Sequence, residues 1–188
     1  MLAQLIRPSD VLLLVVDVQE KLVPAIARHT ALLQRVMLLM QAATATGVPT
    51  LATEHCPDKI GPLLPEITQH LTQPPLAKRS FDATQAPGTL ARLRQALRPS
   101  IALVGMEAHV CVLHTALGLQ AAGWQVGLVA DAVGSRREED RATALSLAAA
   151  NNMAVIPAET LVFGWLGSAD HPAFRPVLAG VRALSDSP

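Results

Sequence analysis

The chain has 188 residues, of which 51% are hydrophobic. Its fifteen basic and fifteen acidic side chains cancel. That length suits one domain able to bury a real core. With no Lys/Arg-rich run, three Phe, two Trp and no Tyr, a nucleic-acid partner has neither an electrostatic footprint nor stacking residues to use. Near-zero net charge and high apolar content suit a homo-oligomer. The two cysteines, Cys56 and Cys111, lack C-x-x-C spacing, so a secreted disulfide framework is not expected and a cytoplasmic, reducing setting is. The hydrophobic N-terminus is interrupted by Arg7, Pro8 and Asp10, and the apolar run 11–16 ends in Asp17. Neither a signal peptide nor a membrane association is expected.

The elements alternate in kind along the chain. Residues 11–16, Val-Leu-Leu-Leu-Val-Val, form a continuous apolar run, as in a strand buried on both faces. Residues 31–46 predict a helix closed by Gly47, and 49–53 a second strand. A third strand ends near Leu76-Ala77, after Pro74 and Pro75. Residues 88–97 predict a helix stopped by Pro99. Residues 101–104 are the fourth strand, 112–122 a helix closed by Gly123, and 125–130 the fifth strand. A helix over 138–150 and a strand over 153–156 follow. Such alternation predicts an α/β/α sandwich, a parallel six-stranded Rossmann-like sheet in the order 3-2-1-4-5-6. The whole of 1–188 is read as one domain, with a peripheral tail from about residue 168.

Ligands of open parallel sheets bind beyond the carboxyl ends of the strands, where strand order reverses. Three reactive side chains fall there: Asp17 after the first strand, Lys78 after the third and Cys111 just past the fourth. In the order 3-2-1-4-5-6 the first and fourth strands are neighbours, so Asp17 and Cys111 face one crevice. Cys111 also opens a helical segment. Partial positive charge and unpaired N–H groups at a helix N-terminus favour the thiolate and can bind an oxyanion. Asp17 suits the base that takes the thiol proton and later protonates the leaving group. Lys78 beside both would hold the carboxylate ionised. His114, three residues past Cys111, is an alternative base.

Five segments carry a resemblance: Leu14-Val15-Val16-Asp17-Val18-Gln19, Thr53-Glu54-His55-Cys56-Pro57, Lys78-Arg79-Ser80-Phe81, 105–112 with Glu107-Ala108-His109-Val110-Cys111-Val112 at its heart, and 129–136. In these the chain resembles the isochorismatase-like cysteine hydrolases, and within them the isochorismatase domain-containing group. The resemblance implies an Asp-Lys-Cys triad at Asp17, Lys78 and Cys111. It also implies a cis peptide at Met106-Glu107 and an oxyanion hole from the Glu107 and Cys111 N–H groups. The implied reaction is hydrolysis of a small amide or related carbonyl compound through a thioester.

The chain departs from metal-binding, nicotinamidase-type members. Their Asp-x-His order is replaced by Glu54-His55-Cys56-Pro57-Asp58, with His70 isolated downstream. No catalytic metal and no cofactor are expected; a nicotinamidase with unusual ligands is one alternative. A catalytically silent assembly protein that retains the fold is another. Among the remaining candidates, Gln19 is expected to hydrogen-bond in the crevice and Glu54 to support Lys78. Phe81 is either an apolar wall or core packing, and His109 flanks the thiol. Asp131 is expected to cap or brace the loop after the fifth strand, and Gly105 to allow close backbone approach.

Overall fold

The structure is a computed structural model that describes residues 2–185. Six strands form one sheet: β1 (Val11–Val16), β2 (Thr50–His55), β3 (Leu76–Lys78), β4 (Ser100–Met106), β5 (Gln125–Gly134) and β6 (Ala154–Ile156). All pairings are parallel, in the order β3-β2-β1-β4-β5-β6. This is the predicted topology, with its reversal between β1 and β4.

The helices are α1 (Leu2–Leu5), α2 (His29–Thr46), α3 (Pro57–Ile60), α4 (Pro65–Thr68), α5 (Thr89–Gln95), α6 (Leu113–Ala121), α7 (Glu138–Ala150), α8 (Ala158–Leu166) and α9 (Phe174–Ser185). All six residues of β1 are buried. Val11, Leu13 and Val15 face one apolar layer, shared with α2, α8 and α9. Leu12, Leu14 and Val16 face the other, shared with α5, α6 and α7. Burying each such side chain contributes about 1.5–3 kcal/mol. The apolar run of β1 therefore holds both helical layers to the sheet. No helix among the described residues is long and apolar enough to cross a membrane.

The junction of β1 and β4 is tight. A Cβ on Gly105, at φ +115°, would lie 2.0 Å from the Val16 carbonyl oxygen. Only glycine fits that contact and that backbone conformation. The register pairs Val16 with Thr53 on one side and with Gly105 on the other. The strand ends that carry the candidate residues are thereby brought side by side.

Several elements differ from the sequence reading. β5 continues to Gly134, past a register break opposite Leu103 and Gly105. Asp131 thus lies inside a strand, where its Oδ1 accepts the Ala158 N–H at 2.8 Å and its Oδ2 accepts Arg35 Nε at 3.0 Å. It braces the start of α8. Residues Ala108–Val112 form a π-helical turn before α6. The stretch from about residue 168 carries α9, whose Val177 and Val181, one turn apart, are buried in the layer of α2 and α8. In α8, Trp165 is buried and donates Nε1–H to the Leu5 carbonyl at 2.9 Å, which holds α1 in place.

Candidate active site

Asp17 ends β1 in a left-handed conformation, φ 52°, and is fully buried. Its N–H donates to the Thr53 carbonyl of β2 at 3.2 Å. Its carboxylate is engaged on both oxygens. Thr53 Oγ1 donates to Oδ1 at 2.6 Å, and Lys78 Nζ to Oδ2 at 2.7 Å. Lys78 is the last residue of β3, and neither charged side chain has any exposure. Nζ has a second acceptor in the Ser80 carbonyl at 3.3 Å. Burying one such charge alone is prohibitive, and here the two are buried as a pair. Thr53 is a site residue the sequence reading missed. Its register position beside Val16 is the signal that reveals it.

Cys111 reaches the same place from the other side of the reversal. β4 ends at Met106, the Met106–Glu107 peptide is cis, and the π-helical turn follows. That turn buries Cys111 in the apolar layer under α6, with its thiol within 4.8 Å of a carboxylate oxygen of Asp17 and a ring nitrogen of His55. The helix-terminus argument predicts a lowered thiol pKa, and here the structure corrects it. Burial pushes the Cys111 thiol up from 9.0 to about 12, the Asp17 charge acts in the same direction, and Lys78 opposes them. Desolvation outweighs the local dipole because the thiol lies beneath the turn rather than at an exposed helix end. At neutral pH Cys111 is a protonated thiol beside the Asp17 carboxylate.

His55, the last residue of β2, figures in the sequence only as a ligand candidate beside Cys56 and Asp58, and the structure brings it instead to Asp17 and Cys111. Its ring stacks on Phe81, centroids 5.3 Å apart at 25°. Nε2 lies 3.6 Å from Cys56 Sγ, while Nδ1 is buried without a hydrogen-bond partner. Burial and the Lys78 charge hold this imidazole below its usual value, against an upward pull from Asp17. Phe81 is 53% exposed and also sits 6.4 Å from the His114 ring. It is therefore a surface side chain packed on the His55 ring, not core packing. His114 Nδ1 lies 2.7 Å from the Val110 carbonyl, one turn back on its own helix.

The other candidates frame the site without joining it. Gln19 is fully buried; its Nε2 donates to the His55 and Gly61 carbonyls at 3.1 and 2.6 Å, and its Oε1 accepts the His55 N–H at 2.7 Å. Glu54, expected beside Lys78, instead accepts the Leu63 N–H at 2.8 Å, because neighbouring strand residues point to opposite faces and Thr53 takes the Asp17 side. His109 turns away from the thiol: Nδ1 is 2.9 Å from Ser135 Oγ and Nε2 is 4.0 Å from Asp140. The Glu107 carboxylate accepts Arg136 Nε at 3.0 Å and the Arg136 N–H at 3.1 Å.

The segment after β2 does not assemble a nicotinamidase-type ligand set. Glu54 is committed to Leu63, and Asp58 to Arg79 at 3.1 Å. Among the described residues, the one converging group of three donor side chains is Asp17, His55 and Cys111. A hollow of about 540 Å³ opens beside Lys78, Arg79 and Ser80. A second, more apolar groove of about 550 Å³ lies between α2 and α9, lined by Leu33, Met37 and Leu184, and contains none of the three reactive residues. Of the three reactive residues the first hollow is lined by Lys78 alone, and neither Asp17 nor Cys111 borders it.

The family model for the isochorismatase domain matches residues 11–160. The chain belongs to the isochorismatase family. Human isochorismatase domain-containing protein 2 is 34% identical over 173 residues, which cover 92% of this chain and 83% of that protein. A structure described as MAR1 ribonuclease from Caenorhabditis elegans superposes with a TM-score of 0.86 at 32% identity, covering 97% of this chain and 93% of that one. The YCAC gene product of Escherichia coli, described as an octameric hydrolase of unknown specificity, gives a TM-score of 0.84 at 21% identity over 95% and 87% of the two chains. Membership in the isochorismatase family places the protein in a hydrolase family.

Proposed function

We propose that this isochorismatase-family protein is a metal-independent cysteine hydrolase of a small amide or related carbonyl compound. The observation that carries the reading is the Asp17–Lys78 ion pair at 2.7 Å, wholly buried, with the Cys111 thiol next to that carboxylate. A buried, ion-paired carboxylate beside a protonated thiol is a general base poised at its nucleophile. The substrate carbonyl enters beneath Phe81. Asp17 takes the Sγ proton as sulfur attacks the carbonyl carbon. The oxyanion is received by the N–H groups of Glu107 and Cys111. Collapse of the tetrahedral intermediate expels the amine, which takes the proton back from Asp17 and leaves a thioester on Cys111. Water, deprotonated by Asp17, then releases the acid and restores the thiol. Lys78 keeps the carboxylate in position and balances its charge throughout.

Two free thiols accord with a cytoplasmic setting. The apolar groove between α2 and α9, together with the octamer described for the E. coli neighbour, supports a homo-oligomer. An RNA substrate, the activity for which the C. elegans neighbour is named, finds less support: Lys78 and Arg79 are each paired to a carboxylate, and the chain has no net charge.

The test is a screen of small carboxamides and esters with the wild-type protein and Cys111→Ala. Intact-mass analysis is used to trap an acyl adduct. The expected result is turnover in the wild type alone, with the adduct on the Cys111 peptide. Turnover that persists in Cys111→Ala overturns the covalent scheme. An assembly role gains support if no substrate is turned over and the thiol fails to react with small electrophiles.

A further inference from the structure

The side chains around the thiol are also a set of metal donors. Asp17, His55 and Cys111 each offer one ligand atom, and the three atoms lie within 4.8 Å of one another. A zinc ion bonds to S, N and O donors at about 2.0–2.3 Å, which in a tetrahedron sets neighbouring donors roughly 3.3–3.8 Å apart. Bringing donors from that upper limit to a zinc's spacing takes roughly 1–1.5 Å. An independent observation points the same way. His55 Nδ1 is buried and has no hydrogen-bond partner, an uncommon state for an interior polar atom. The stacked Phe81 fixes the plane of its ring.

We propose that Asp17, His55 and Cys111 form an inhibitory site for a soft or borderline divalent cation, with zinc as the type. On binding, the sulfur–metal bond replaces the S–H bond and the thiol proton leaves to solvent. The neutral imidazole and the carboxylate bind without losing a proton. The fourth position remains open to water. Thiolate and imidazole select zinc, cadmium or cobalt over magnesium and calcium, which want oxygen ligands. Lys78 opposes the ion, since its ammonium already holds Asp17 Oδ2 at 2.7 Å. That competition weakens occupancy and makes it reversible, so the site acts as a brake on the nucleophile. The donor geometry carries the binding; only the word inhibitory rests on the proposed role of Cys111.

The experiment uses full-length protein without an affinity tag. Zinc binding is followed by equilibrium dialysis with metal analysis, and the ligand set by the sulfur-to-metal charge-transfer band of the cobalt form. The wild type is expected to take one ion and show the band. Cys111→Ser and His55→Phe, each checked for folding by circular dichroism, are expected to weaken binding at least about 100-fold, the upper end of what losing even an indirect partner of a ligand costs. Lys78→Met is expected to tighten it. Cys56→Ser, which removes the thiol on the other side of His55, is expected to leave it unchanged. Zinc is also expected to protect Cys111 from iodoacetamide. The proposal is overturned if dialysis finds no ion, if Cys111→Ser or His55→Phe binds as the wild type does, if Cys56→Ser abolishes binding, or if magnesium competes equally. Zinc binding that masks Cys111 in a protein with no turnover leaves this site standing and removes the hydrolase reading. Turnover that zinc leaves untouched does the reverse.

Discussion

Lys78 and Arg79 carry the same charge one residue apart, and each pairs with an aspartate. Lys78 meets Asp17 at 2.7 Å with both side chains at 0% exposure, while Arg79 meets Asp58 at 3.1 Å with side chains 70% and 52% exposed. They differ because strand alternation sends Lys78 inward at the end of β3 and leaves Arg79 on the rim. The rim pair is surrounded by water, which screens it and competes for both partners. The buried pair has only each other, Thr53 and the Ser80 carbonyl. Identical chemistry is a surface decoration in one place and a fixed, reactive dipole in the other. On the proposed mechanism, what fits this ion pair for catalysis is the exclusion of solvent, not the pairing itself.

The substitution that strikes hardest at the buried region is Cys111→Ala, expected to lower turnover by roughly 10⁴-fold or more with the fold retained; progress curves on any substrate found in the screen give the measure. Next is Asp17→Asn. It strands the Lys78 ammonium in the interior and is expected to cost about 3–5 kcal/mol in urea unfolding. The same change removes a charge that raises the thiol, so the pH profile of Cys111 alkylation should move down while turnover is lost. Lys78→Met should move that profile up. Opposite shifts from the two variants sharpen the account of the pair, and a common shift would break it.

A weaker effect concerns stability in alkali. The thiol is raised in the folded protein, so folding holds its proton more tightly than the unfolded chain does. That contribution is fully present below pH 9 and is lost as pH rises toward 12. The urea midpoint of the wild type should therefore fall across this range more steeply than that of Cys111→Ala. The smallest effect belongs to the rim: Arg79→Ala should leave the urea midpoint at neutral pH where it was. A marked loss there would erase the contrast between the two pairs.

Much of this arrangement is legible in the chain. A run of six apolar residues ending in Asp17, and a second ending in Gly105 before Cys111, are enough to set two adjacent buried strands with reactive ends. The protonation state of the thiol is not legible, because it depends on what covers Cys111, and the residues that do so come from distant segments. The place of His55 beside Asp17 and Cys111 escaped for a similar reason. Its significance lies in a stacked ring and a carboxylate that neighbour it only in space. α9 was obscured by local composition: Arg175, Pro176 and Gly180 conceal the one-turn spacing of Val177 and Val181 that seats it on the core.

Gln19 carries a consequence for how such an enzyme diversifies. Its amide spends both ends on the main chain, on His55 and on Gly61, so the exit of β1, the exit of β2 and the loop beyond are riveted into one piece. A floor built this way has no slack with which to mould itself around different guests. On the proposed reading, new substrates are admitted by recutting the exposed surface at Phe81 and its surroundings. The same machinery beneath can then serve many compounds while hardly changing itself.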